Sequence, residues 1–252
     1  MRNVKVTIAF DGTNFSGWQK QLNTPTVQGE LERVLGIITN DSVVLHGAGR
    51  TDAGVHALAM VASFQTDSDI VLDKLQRGAN SMLPLAIRIL AIEDAAPDFH
   101  ARFSTISKSY FYTIETGAIQ SPLTRLYAVH IPQPLKLVPM QQCLASIIGT
   151  HDFASFEASG SRDKSISTGR GSVRTLHQAI LTETGENSLQ FELSGDGFLR
   201  HMVRNIVGTV LEVGKGRKTG EEFTTILEAK DRSVAAATAP AHGLFLKKVH
   251  YK

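Results

Sequence analysis

The same order of predicted elements occurs twice along this chain of 252 residues, and that repetition limits its fold more than any other feature. In the first half, apolar and polar residues alternate over residues 4–10, as in a half-buried strand, and helical spacing follows from Pro25. Asp69 is the expected N-cap of the second helix. Strand, helix, strand, strand, helix and strand are predicted over residues 4–10, 24–38, 42–46, 55–64, 69–83 and 86–92.

The second half has similar elements without similar residues. A strand, a helix, a hairpin, two helices and a last strand are predicted over residues 110–115, 137–148, 173–193, 199–211, 221–229 and 244–251. Helices interspersed with hairpins are typical of an α+β fold. We therefore expect two lobes of similar layout, residues 1–105 and 106–252, in which helices pack on largely antiparallel mixed sheets. A central cleft between the lobes is the expected ligand site.

Positive charge is concentrated in two segments. The chain has 26 lysines and arginines against 24 aspartates and glutamates, so the net charge of +2 does not by itself identify an anionic partner. Residues 159–174 and 199–218 nevertheless each have an excess of basic side chains. The candidates for contacts with a phosphate backbone are Arg162, Lys164, Arg170 and Arg200. For the first segment, which is rich in serine and glycine, an ordinary solvated loop is the alternative.

Several classes of protein are excluded. Cys143 is the single cysteine, which excludes a disulfide framework and a multi-cysteine zinc site. The 9 histidines are scattered without the spacing of a zinc motif, so no metal site is expected. The longest segment without Asp, Glu, Lys or Arg, residues 137–151, is shorter than the roughly 20 residues of a membrane span. Because the N-terminus also lacks a signal-peptide pattern, we expect a cytoplasmic protein.

The most unusual segment is GRTDAGVH, residues 49–56. It places Arg50, Thr51 and Asp52 between glycines, after one predicted strand and before another. Glycine allows a ligand to approach the backbone closely, so this arrangement would present Asp52 at the end of a strand. A tight turn in which Asp52 binds only local backbone N–H groups is the alternative, and spacing alone favours it.

This segment resembles the signature of the tRNA pseudouridine synthase A (TruA) family. Five further segments resemble other motifs of that family in the family's order, with Phe10 where tyrosine is usual. They are FDGTNFSGWQ (10–19), TVQGELE (26–32), FHARF with KSYFY (99–112), FLRHMVRN (198–205) and APAHGLFL (239–246). Because the motifs extend over nearly the whole chain, it is identified as a member of that family.

The resemblance implies an enzyme that isomerises uridine to pseudouridine at positions 38, 39 and 40 of the tRNA anticodon stem-loop. Asp52 is then the catalytic carboxylate, Tyr110 lies against the target base and Arg204 pairs with Asp52. Arg50 is similar to a family residue that enters the space of the flipped base, and Leu244 of the closing motif is a candidate for substrate binding. The resemblance also implies a homodimer that binds tRNA across both subunits, with no metal or organic cofactor.

The residue types suit this chemistry, which breaks the C1′–N1 bond of uridine and joins C1′ to C5. An ionised Asp52 can attack C1′, add to C6 of the base or remove the ribose 2′ proton, and the sequence leaves these three routes open. A nearby arginine favours the ionised form. Because Arg200 and Arg204 are four residues apart on a predicted helix, we expect both on one row, one for Asp52 and one for a phosphate.

Tyr110 and Tyr112 are expected on one face of their strand. A tyrosine can stack on an extruded base and offset the cost of flipping it, whereas a core aromatic with a bonded hydroxyl is the ordinary alternative. Spacing does not decide between the two tyrosines, and the motif selects Tyr110. Trp18 is expected to be buried under a glycine turn, and Asp11 to cap a turn.

Two other functions are possible. A non-catalytic RNA-binding module needs the same basic segments but gives no reason for Asp52, Tyr110 and Arg204 together. A hydrolase of an N-glycosidic bond would use Asp52 at the same anomeric carbon and would release free uracil. Both rank below the synthase.

Overall fold

The computed structural model describes residues 1–161 and 169–252. They form two compact units, one made of Met1–Ile106 together with Phe245–Lys252, the other of Ser107–Leu244. Each unit combines helices with strands that pair mostly in an antiparallel manner. The predicted α+β class, with helices on largely antiparallel mixed sheets, is confirmed.

The C-terminal segment belongs to the first unit, which differs from the predicted lobe of residues 106–252. The reason is a pairing between strands far apart in sequence. Phe245 lies opposite His56 and Leu246 opposite Ala57, and the two strands run parallel. Local sequence patterns do not report such a pairing, because each strand looks the same whichever partner it finds.

The first unit is built around β1, which is antiparallel to β3 on one side and to β4 on the other. β3 also pairs with β2 and, in parallel, with β10. Val4, Val6 and Ile8 of β1 have no exposed surface, which confirms the predicted alternation. The elements are β1 (Arg2–Phe10), α1 (Val27–Thr39), β2 (His46–Gly47), β3 (His56–Thr66), α2 (Leu72–Met82), β4 (Ile87–Ala95) and β10 (Leu244–His250).

The two helices of this unit contact each other, and α2 also contacts β4. The Thr26 side chain caps α1. The predicted cap of α2 at Asp69 is wrong, because the N-cap is Val71 and no side chain accepts a capping hydrogen bond there. Packing fixes this helix instead, since its Leu75 and Ala79 are buried.

The second unit has strands in the order β5-β9-β8-β7, all antiparallel, with β6 parallel to β5. Its helices contact one another, and Ile206, Val207 and Val210 of α4 are fully buried. No helix within the described residues is long and apolar enough to cross a membrane. The elements are β5 (Ser107–Glu115), β6 (Val129–His130), α3 (Leu137–Ser146), β7 (Gly149–Asp152), β8 (Val173–Gly185), β9 (Ser188–Gly195), α4 (Met202–Gly214) and α5 (Gly220–Ala229).

Candidate active site

Asp52 lies in the turn that precedes β3. The Val55 N–H donates a hydrogen bond to the Asp52 carbonyl oxygen at 3.2 Å, and Gly54 between them has a φ of +78°, which favours glycine. The Asp52 side chain is half-buried, and Arg50 in the same loop is exposed. Asp52 therefore lies in the turn between β2 and β3, four residues before β3 begins at His56.

The segment of residues 10–19 contacts the backbone of this turn. The Trp18 N–H donates to the Thr51 carbonyl oxygen at 3.1 Å. Gly17 has a φ of +96°, and a Cβ at this position would lie 2.6 Å from the same oxygen. Two motifs that are distant in sequence thus fix the backbone around Asp52, and their close approach requires glycine at position 17.

Trp18 and Asp11 have the structural roles that the sequence predicts. The Trp18 side chain is 2% exposed, and a Cβ on Gly47 would lie 2.6 Å from its ring. Asp11 caps a turn, because its Oδ1 accepts hydrogen bonds from the Thr13 N–H at 2.9 Å and from the Thr13 hydroxyl at 2.6 Å. Nδ1 of the buried His56 lies 3.1 Å from the same oxygen. Asp11 is therefore tied to local structure.

The Thr51 hydroxyl is a feature that sequence reasoning missed. Its oxygen is buried and has no hydrogen-bond partner within the parts of the chain that the structure describes. Burial of a hydroxyl without a partner costs roughly 1–3 kcal/mol. The sequence alone does not predict whether the hydroxyl of a threonine in a polar turn forms a hydrogen bond.

The second unit distinguishes the two tyrosines of β5. The Tyr112 hydroxyl donates to the Pro240 carbonyl oxygen at 2.8 Å, and its side chain has no exposed surface. Burial raises the pKa of Tyr112 far above its usual value, against the opposing effect of the Arg204 charge. Tyr110 is 8% exposed and packs edge-on against Phe198, with 4.9 Å between ring centroids. Tyr112 is thus the core aromatic with a bonded hydroxyl.

Arg204 lies in the first turn of α4 and binds the segment that leads into the closing motif. Its Nε donates to the Ala239 carbonyl oxygen at 2.8 Å, and the Ala239 N–H donates to the Arg204 carbonyl oxygen at 3.1 Å. Leu244, the first residue of β10, is buried a few residues further on. Arg204 therefore fixes the backbone of this segment.

The predicted helical row of Arg200 and Arg204 is wrong. The helix begins at Met202, and His201 before it adopts a left-handed conformation with a φ of +62°. Arg200 consequently lies outside the helix, and it is exposed. A residue in the left-handed region cannot continue a right-handed helix, so the apolar spacing that starts at Leu199 overstates the helix length.

The basic segment of residues 159–174 is described only in part. Arg162 and Lys164 lie outside the described residues. Arg170 is exposed, and its guanidinium forms an ion pair with Asp196 at 2.5 Å. A phosphate contact by Arg170 would have to compete with this partner.

The predicted site residues fall in both units. Asp52 and Arg50 belong to the first, and Tyr110, Arg204 and Leu244 belong to the second. The pairing of Arg204 with Asp52 stays a prediction. Within residues 1–161 and 169–252, no group of three His, Cys, Asp or Glu side chains is placed to hold a metal ion.

Comparison with known proteins gives the family. The family described as tRNA pseudouridine synthase matches residues 6–104 and 144–252. The chain belongs to this family. The matched residues include Asp52 and Arg204, whereas Tyr110 lies between the two matched segments.

Relatives in the synthase family match the whole length of the chain. It is 52% identical over 251 residues to tRNA pseudouridine synthase A 1 of Desulfotalea psychrophila, with 100% of each chain covered. It is 44% identical to tRNA pseudouridine synthase A of Acetivibrio thermocellus, again with 100% of each covered. Identity to the enzyme of Latilactobacillus sakei is 42%, with 98% of each covered. These alignments therefore also include the stretch that contains Tyr110.

Proposed function

We propose that this protein converts uridine to pseudouridine at positions 38, 39 and 40 of the tRNA anticodon stem-loop, with Asp52 as the catalytic carboxylate. The observation that carries the proposal is the family match over the segment that contains the Asp52 turn. In that turn the carboxylate is half-buried while contacts from Gly17 and Trp18 hold the backbone. A fixed backbone suits a carboxylate that must reach one carbon atom of a nucleotide.

The reaction exchanges one bond to the ribose for another. The C1′–N1 bond breaks, the C1′–C5 bond forms, the hydrogen on C5 leaves as a proton and N1 takes up a proton, so the composition of the nucleotide does not change. Asp52 attacks C1′, adds to C6 or removes the 2′ proton, and each of these routes requires an ionised carboxylate. The proposed role of Arg204 is to stabilise that charge, because a guanidinium stays protonated and can pair with both carboxylate oxygens.

A uridine in a stem must leave the helix before a side chain reaches its ribose, which costs a few kcal/mol. Tyr110 is the proposed stacking partner of the extruded base. The family motif selects Tyr110, which keeps 8% of its surface exposed and packs against Phe198, whereas Tyr112 has no exposed surface. The exposed Arg50 is proposed to fill the space that the base leaves.

The proposed partner is tRNA, bound by a homodimer in the cytoplasm without a cofactor. Leu244 is a proposed substrate contact. The proposed contacts with the tRNA backbone are Arg162, Lys164, Arg170 and Arg200. Sedimentation equilibrium tests the dimer. The mass of one protomer without tRNA, and of one protomer plus tRNA in its presence, would contradict it.

The test uses unmodified tRNA with tritium at C5 of uridine, because formation of the C1′–C5 bond expels that hydrogen. Wild type should release tritium without free uracil, and Asp52→Ala and Asp52→Asn should bind tRNA and release none. Asp73→Asn is the matched control, since Asp73 is 68% exposed on α2 and its substitution makes the same chemical change. It should behave as wild type.

Three outcomes would overturn the proposal in different ways. Tritium release by Asp52→Ala would remove Asp52 from the chemistry. Free uracil in the wild-type reaction would indicate a hydrolase. Tight tRNA binding without release by any variant would indicate a binding module. Reverse transcription after carbodiimide treatment then maps the product, and pseudouridine mapped to positions other than 38, 39 and 40 would contradict the assigned positions.

A further inference from the structure

His56, the first residue of β3, is a buried histidine that the proposed chemistry does not use. Its side chain is 1% exposed, and its ring stacks on the Phe245 ring of β10 with 4.6 Å between centroids and 24° between planes. The two residues also lie opposite each other in the parallel pairing of these strands. The imidazole therefore has a fixed position four residues after Asp52.

The Nδ1 atom of His56 accepts a hydrogen bond from the segment of residues 10–19. The Gly12 N–H donates to this nitrogen at 3.0 Å in buried surroundings. A Cβ on Gly12 would lie 2.0 Å from the Val55 carbonyl oxygen, so the close approach of the two backbones requires glycine. An imidazole nitrogen that accepts a hydrogen bond carries no proton, so the proton of the neutral ring is on Nε2.

Asp11 offers Nδ1 a second partner, which requires the opposite protonation state. Its Oδ1 lies 3.1 Å from Nδ1, and a proton on that nitrogen would point to the carboxylate. The same oxygen already accepts hydrogen bonds from the N–H and the hydroxyl of Thr13. A proton on Nδ1 would also take the acceptor away from the buried Gly12 N–H, which is costly. The contacts of both groups therefore favour an unprotonated Nδ1.

Hydrogen bonds continue from Gly12 to the turn that contains Asp52. The Phe15 N–H donates to the Gly12 carbonyl oxygen at 3.0 Å, and the Gly54 N–H donates to the Phe15 carbonyl oxygen at 3.4 Å. Because Gly54 and His56 are only two residues apart, these bonds form a closed circuit through both segments. We call His56, Gly12, Phe15 and Gly54 the closed network.

Asp52 lies between two points at which the segment of residues 10–19 binds its turn. The Trp18 N–H donates to the Thr51 carbonyl oxygen before it, and the closed network reaches Gly54 after it. The other bonds of the network join backbone groups. The His56 side chain is therefore the part of the network that a substitution can remove.

We infer that His56 is a positioning residue for the isomerisation of uridine, because its unprotonated Nδ1 binds Gly12 and the closed network then keeps the Asp52 carboxylate in place. The inference rests on the proposed function. A displacement of a catalytic group by about 1 Å lowers the rate about 100-fold. Since the surface that binds the RNA is unchanged, loss of the acceptor should lower kcat and leave KM nearly unchanged.

The experiment compares His56→Leu with His56→Asn, two side chains of nearly equal shape that both lack the imidazole ring. Asparagine places its Oδ1 where Nδ1 of histidine lies and can accept from the Gly12 N–H, whereas leucine has no acceptor. In the tritium-release assay, kcat should fall about 100-fold in His56→Leu, and His56→Asn should retain most of it. His177→Leu makes the same change at an exposed position of β8 and should keep the wild-type kcat.

Two further measurements do not depend on turnover. NMR spectra of the histidine ring nitrogens should show that Nδ1 of His56 carries no proton at the pH of the assay. Hydrogen exchange of the Gly54 N–H should be faster in His56→Leu than in wild type and unchanged in His56→Asn, because only leucine opens the closed network.

Three results would overturn the inference. A proton on Nδ1 would assign His56 to Asp11 instead of Gly12. An unchanged kcat in His56→Leu, with or without a change in KM, would separate this histidine from Asp52. Equal losses of kcat in both variants would reduce its role to packing on Phe245. If wild type releases no tritium while Gly54 exchange still responds to His56→Leu, the proposed function fails and the closed network stands.

Discussion

Gly17 connects the opening motif to the Asp52 turn, and its replacement by alanine should damage stability and turnover together. Its φ of +96° is a conformation that costs an L-residue about 1–2 kcal/mol. A Cβ would also lie 2.6 Å from the Thr51 carbonyl oxygen and 3.1 Å from the Asp52 carbonyl carbon. With the turn forced to move, we expect the free energy of unfolding to fall by about 2–4 kcal/mol.

Gly149→Ala separates the contact with the turn from the cost of the conformation. Gly149 has a φ of +104°, but the nearest atom to a Cβ there is His151 Nε2 at 3.8 Å, an ordinary contact. This variant should lose only the conformational cost of about 1–2 kcal/mol. The difference between the two variants is the cost of the contact with Thr51 and Asp52.

Urea unfolding measures the two free energies, and tritium release measures turnover at a temperature where both variants are folded. A displacement of a catalytic group by about 1 Å lowers the rate about 100-fold, so Gly17→Ala should show a loss of that size and Gly149→Ala none. If Gly17→Ala unfolds like Gly149→Ala and keeps wild-type turnover, the Asp52 turn does not depend on this contact.

Three further variants test individual groups. Tyr112→Phe removes the hydrogen bond to the Pro240 carbonyl oxygen and should lower the free energy of unfolding in urea by about 0.5–1.5 kcal/mol, and an unchanged value would remove the assigned role of that bond. Thr51→Val should keep or slightly raise that free energy, because the hydroxyl has no partner in the described part of the chain, and a large loss would show that it has one. Burial raises the pKa of Tyr251 to about 12, above the usual value of 10.0. The folded protein therefore keeps this proton longer than the unfolded chain, and stability present below pH 10 should be lost as the pH rises toward 12. Unfolding measured across this range should depend less on pH in Tyr251→Phe than in wild type.

Local patterns predicted the regular elements well where one face is buried. Alternation over β1 and helical spacing over α1 follow from contacts with the core, so the apolar residues report them directly. The start of α4 was missed because it depends on a left-handed conformation at His201. A histidine in the sequence does not predict that conformation. The place of β10 was missed because its partner is far away in sequence.

For the candidate site, too, the sequence predicted local features but not contacts between distant segments. The glycines around Asp52 indicated a tight turn, yet the contact of Gly17 with Thr51 depends on packing between distant segments. The two tyrosines of β5 were equivalent by spacing, and only the folded structure shows that the Tyr112 hydroxyl reaches Pro240. Residue type and order were enough to name candidates, and the partners of each side chain came only from the folded structure.

The discontinuity of the first unit has a consequence for synthesis on the ribosome. Residues 107–244 are contiguous, so the second unit can close as soon as it has emerged. The first unit begins earlier but contains a strand that follows the whole second unit in the sequence, so β3 cannot pair with that strand until residues 107–244 have been translated. The unit that carries Asp52 is therefore begun before the second unit and completed only after it.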